Sequence, residues 1–190
     1  LEKGLTFLQI GTLYAIREIA TNILEIPTGF VADALGRRRT LFFSFVFYML
    51  SFILFFLLSS YTAFIFAMLL FAVGEAFRTG VHKAMIFTYL KINGWEDQKV
   101  HYYGHTRSWS QLGSAVSALL AAVIVFHTGE YQTVFAYSTI PYFRDLILIA
   151  SYPEALDGPK THDNTADLKV KFKALLQAFY AGFNTRVILK

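Results

Sequence analysis

Cysteine is absent from the 190 residues, so neither a disulfide framework nor a thiolate metal site can form, and the redox compartment stays open. Charge is scarce as well: Asp, Glu, Lys and Arg make up 16% of the chain, against about 25% in an average soluble domain. Apolar residues take their place, at 55% hydrophobic and 17% aromatic. They fall in runs of about 20, the length that spans a hydrocarbon core of about 30 Å. This composition excludes an ordinary soluble domain and predicts an all-α, polytopic membrane helix bundle. The net charge of +4 would suit nucleic acid. The basic residues, however, sit in short segments between the apolar runs, as in membrane loops, so no nucleic-acid partner is read. No metal site, catalytic triad or phosphate loop is read, so no metal, cofactor or enzyme activity is expected. No cleavable leader is read, and a chain that opens on Leu1 without methionine reads as a fragment of something longer.

Spans are predicted over about 5–34, 41–58, 61–90, 108–126 and 133–152, with "SSYT" and "HTGEYQ" as polar breaks. The lysine and arginine bias of the loops then sets orientation. Twelve of these residues, including Arg37, Arg38, Arg39, Lys91, Lys99 and Arg107, fall on one side, and only Lys3 falls on the other. The expectation is a multi-pass cell-membrane protein with the arginine turn, the 91–107 loop and the tail in the cytoplasm. Residues 1–152 form the transmembrane part. After Pro153 a polar, turn-rich linker (153–190) carries an amphipathic helix at about 167–182, its lysines placed for the membrane surface.

The segment "GFVADALGRRRT", Gly29 to Thr40, is a tight turn between the first two spans. Gly36 there supplies the positive φ that a helix stop favours, and the three arginines hold that end inside. Asp33 is harder to account for, because an acid at a helix C-terminus faces the negative end of its own helix dipole. Arg37, or the N-terminus of another helix, has to compensate it.

The spacing Gly29-x-x-x-Asp33-x-x-Gly36-Arg37-Arg38 resembles the loop signature between the second and third helices of the major facilitator superfamily of transporters. "EIPTG" just upstream and "GEAFRTG" two helices on resemble one bacterial-type branch. Ala34 departs from the basic residue usual there. The resemblance implies helices two to six plus the central cytoplasmic loop, with the first helix and the C-terminal half of the same chain missing. It also implies that Asp33 and the turn latch the outward-facing state by meeting a helix end of the other half. The proline-glycine signature that drug/proton antiporters carry on the fifth helix is absent.

Ionisable residues at membrane depth are costly and face the protein interior or an aqueous cavity. On the first helix Glu18, Asn22, Glu25 and Gly29 share one sector, with Arg17 at its flank. Pro27 predicts a disturbance near residue 23. On the third helix Glu75 and Arg78 are i,i+3 and can pair, either as a structural ion pair or as part of a path. In the last span Arg144 and Asp145 need partners. Glu18, Asn22, Glu25, Glu75, Arg78 and Asp145 are therefore the candidates for substrate or proton contact. The stripe Gln111, Ala115, Ala118 and Ala122 reads as a close-packing face.

The function expected is a secondary active transporter that moves a small solute by alternating access, with a proton as candidate coupling ion and the lipid bilayer as surroundings. The alternatives are a non-transporting membrane scaffold or truncated gene remnant, and a membrane-embedded enzyme.

Overall fold

The computed structural model describes residues 4–157, apart from the side chains of Ile26, Phe30, Asp33 and Ala34. The amphipathic stretch expected at 167–182 lies outside the described residues. In hydrocarbon each backbone polar group must be bonded within its own segment, so apolar runs become helices. Five of them form: α1 (Phe7–Leu35), α2 (Arg37–Leu57), α3 (Tyr61–Ile92), α4 (Lys99–Thr128) and α5 (Gln132–Ala150). There is no strand among the described residues. By length and composition α2, α3 and the stretch 96–128 that contains α4 can each cross a membrane. α1 carries Arg17, Glu18 and Glu25 along its length, and α5 is shorter, at 19 residues.

Local chemistry fixes the ends. Thr6 and Gln9 open α1 as a reciprocal capping box, with the Gln9 N–H donating to the Thr6 hydroxyl at 3.2 Å and the Thr6 N–H to Gln9 Oε1 at 2.9 Å. Ser60 caps α3 by accepting from the Ala63 N–H. α1 runs through Pro27, and α5 runs through Pro141, without a break in helical assignment. One expectation needs correction. α4 begins at Lys99, so most of the predicted 91–107 loop is helix and the connection shrinks to residues 93–98, which contain a short 3-10 turn. Hydropathy does not register these polar first turns. They are held by aromatic packing: Trp95 stacks on Tyr102 at 5.9 Å between ring centres, and Tyr103 meets the edge of Phe87 on α3 at 6.2 Å.

The main packing runs α1, α3, α2, α5. Between α2 and α3 the contact is made by small residues, which let helices approach closely in a membrane. Ser44 and Ser51, both fully buried, donate to the carbonyls of Gly74 (2.7 Å) and Ala67 (2.8 Å). A Cβ on Gly74 would stand only 3.0 Å from the Ser44 carbonyl oxygen. On the other face of α3, the Thr28 hydroxyl of α1 reaches the Ala76 carbonyl at 3.1 Å. Two apolar clusters close the ends, Ala32, Leu41, Val81, Met85 and Ile149 at one and Leu13, Phe55, Phe64 and Ala67 at the other. No residue of α4 is buried, so its small-residue stripe is left uncovered by the other described helices.

Candidate functional site

Two constructions stand out: the turn between α1 and α2, and a charge cluster halfway along α3.

At the turn, Gly36 has φ 92° and ψ 144°, and it closes α1 by donating its N–H to the Ala32 carbonyl at 3.1 Å. That backbone region is close to glycine-only. Gly36 is also the N-cap of α2, and having no side chain it cannot bond the open N–H groups of the first turn. Asp157, at the end of a 3-10 turn that follows α5 (Glu154–Asp157), supplies the missing acceptor: its Oδ1 takes the Arg38 N–H at 2.6 Å. The carboxylate also meets the positive end of the α2 dipole. The fit is close, since a Cβ on Gly36 would lie 3.1 Å from the Asp157 carboxyl. Arg38 returns the contact by donating to the Tyr152 carbonyl at 2.7 Å, and its guanidinium stands 3.9 Å from Glu154. Arg37 points the other way and donates to the Thr88 hydroxyl of α3 at 2.6 Å. The turn is thereby clamped from both sides.

Asp33 lies in the last turn of α1, and Gly29, one turn earlier, is exposed. Gly29, Glu25, Thr28, Arg37 and Thr79 line a cleft of about 300 Å³ between α1 and α3.

The second construction sits at mid-depth. Arg78 Nη2 donates to Glu75 Oε1 at 2.6 Å, and Arg78 Nε donates to the Tyr48 hydroxyl at 3.1 Å. That hydroxyl in turn donates to the other Glu75 oxygen, closing a three-membered network. Tyr48 is 1% exposed and is boxed by Phe71 of α3 and Tyr142 of α5, with ring centres 4.8 and 5.3 Å away. Arg17 of α1 stands 4.9 Å from the Tyr14 ring centre and 5.6 Å from that of Phe71, and pairs with Glu18.

The structure thus joins Glu75 to Arg78 but does not bring them into the Glu25 cleft, because both turn toward α2. Glu18 and Asn22 are exposed, the Asn22 amide donating to the Glu18 carbonyl at 2.8 Å. Asp145 stands exposed on α5. Sequence reasoning missed Tyr48, Asp157 and Glu154. Among the described residues, no group of three or more His, Asp or Glu is placed to hold a metal ion.

The sequence model of the Major Facilitator Superfamily matches residues 1–188. YxaM of Bacillus subtilis (strain 168), named as an uncharacterized MFS-type transporter, is 26% identical over 152 residues, which cover 80% of this chain and 34% of that protein. The chain spans about a third of the length of this curated relative. No solved structure matches. With a match over nearly its whole length and helices apolar enough to cross a bilayer, the chain belongs to the Major Facilitator Superfamily and is a membrane protein.

Proposed function

We propose that the chain is the greater part of the N-terminal half of a secondary transporter, residues 1–152 supplying helices two to six and 153–190 the cytoplasmic linker. The full-length protein moves a small solute across the cell membrane by alternating access, with the site near mid-depth between two halves. The observation that carries this reading is the Glu75–Arg78–Tyr48 network. Glu75 and Arg78 are the fifteenth and eighteenth residues of a 32-residue helix, and Tyr48 is the twelfth of 21 in α2. Charge held at that depth is costly and marks a solute or ion path. The Glu25 cleft is also lined by Arg37 of the clamped turn, so Glu25 and the turn border one space. Asp33 and the turn serve as the latch between halves.

The test is uptake by the full-length protein in proteoliposomes. Glu25→Gln is expected to abolish proton-driven accumulation while sparing solute exchange. If the variant accumulates solute at the wild-type rate, Glu25 carries no proton. If the full-length protein neither accumulates nor exchanges any solute, a scaffold or gene remnant becomes the better reading.

Orientation is checked separately, in a chain that has no native cysteine to confuse the labelling. Asp97 and Glu130 are both exposed, at opposite ends of α4. Asp97→Cys is expected to react with an impermeant maleimide only from the cytoplasmic face, and Glu130→Cys only from outside. The reverse pattern overturns the topology.

A further inference from the structure

Two histidines away from the proposed path stand one turn apart at the start of α4. His101 and His105 are i and i+4, hence on one helix face, and both are exposed. Their ring centres are 4.6 Å apart with the planes at 59°. We infer that His101 and His105 form a two-ligand site for a divalent transition-metal ion of the Zn²⁺ or Ni²⁺ type.

The separation is compatible with shared coordination. An imidazole bound through one nitrogen at about 2.0–2.1 Å has its ring centre about 3.2 Å from the ion, so two such rings lie about 4.5 Å apart at a right angle and about 5.2 Å apart at the tetrahedral angle. The observed spacing falls at the lower end of that interval, and small χ rotations of exposed rings cover the rest. Imidazole suits Zn²⁺, Ni²⁺ and Cu²⁺, whereas Mg²⁺ and Ca²⁺ prefer oxygen ligands. With no third ligand among the described residues, the remaining positions go to water or an external ligand. That is the character of an open, exchangeable site rather than a closed structural one.

The surroundings allow an aqueous ion to arrive. α4 is 30 residues long, which is about 45 Å against about 30 Å of hydrocarbon. Lys99 and Arg107 bracket the pair at the polar end, so this part of the helix projects into water. The backbone beneath it is already organised by the packing of Trp95 on Tyr102 and of Tyr103 on Phe87. Binding therefore needs little ordering, and because the pair is chelating only when the segment is helical, the ion stabilises the helical start of α4.

Calorimetric titration of the full-length protein, purified without a histidine tag, tests this with Zn²⁺ alone. One saturable site is expected that either His101→Ala or His105→Ala removes, the double variant losing nothing further. Zn²⁺ is also expected to raise the thermal midpoint of the wild type and not of the double variant, as for any ligand that binds only the folded state. Mg²⁺ at the same concentration is expected to leave both unchanged. All three variants alter exposed side chains, so folding is retained. If the site survives in the double variant, or each single variant keeps half of the bound metal, the histidines do not chelate and the inference fails.

Discussion

Gly36→Ala is expected to destabilise the protein by about 2–4 kcal/mol. Two independent costs combine. A residue with a Cβ held in this backbone region carries strain of about 1–3 kcal/mol. The new methyl also stands 3.1 Å from the Asp157 carboxyl, which must give by a few tenths of an ångström and so weakens its hold on the Arg38 N–H, a cap of a kind worth about 0.5–2 kcal/mol. Asp157→Ala alone loses only the second part. In the Asp157→Ala background the methyl meets no carboxylate, so Gly36→Ala costs only the backbone strain, and the two substitutions combine to less than their sum. Reversible unfolding of the full-length protein in mixed detergent micelles measures all four corners of the cycle. Strict additivity would show that the methyl leaves the Asp157 contact undisturbed, an Asp157→Ala variant as stable as wild type would show that Asp157 does not cap α2, and a Gly36→Ala variant within about 0.5 kcal/mol of wild type would remove the strain argument.

The five helices were legible because the bilayer leaves an apolar run of about 20 residues few alternatives. The Gly36 stop and the pairing of Glu75 with Arg78 were legible for a similar reason, since both depend on near neighbours in sequence. The Asp157 cap was not. Capping rules look for the acceptor at the N-cap position, and here it arrives from 119 residues away, at the exit of α5. A trace existed nonetheless: α2 opens with three arginines, without an acid in its first turn and without a capping side chain. A helix start that is positive by dipole and by side chain calls for an anion from outside. Tyr48 was hidden differently. In "SFVFYMLS" the phenylalanines draw attention to a lipid-facing surface, yet Ser44, Tyr48 and Ser51 recur at i, i+4 and i+7 and mark the stripe that meets α3. The early start of α4 escaped because its first turns are polar and are fixed by aromatic contacts with α3 and the connecting turn, which hydropathy does not measure.

Arg78→Ala is expected to cost about 2–3 kcal/mol, and Glu75→Ala about as much, while the double variant costs no more than either single one. A charged side chain at the centre of a spanning helix costs about 2.5–3.5 kcal/mol on insertion scales. Here each charge is offset by the other, with Arg78 donating to Glu75 at 2.6 Å and to the Tyr48 hydroxyl at 3.1 Å. Removing one partner strands the other's charge, whereas removing both leaves lost packing and the buried Tyr48 hydroxyl without its two partners, about 1–3 kcal/mol. The side chains are 39% and 29% exposed in Arg78 and Glu75, which keeps the expected cost below that of a fully buried pair. Stability alone cannot separate a structural pair from a solute-binding one, but transport can. If Arg78 holds an anionic group of the solute, the double variant folds and still fails to transport. Arg78→Lys then keeps the charge but loses the planar fork that spans Glu75 and Tyr48, so it is expected to fold with weakened solute affinity. If the double variant takes up solute at the wild-type rate, the pair is a structural brace, and the solute path runs past Glu25 without it.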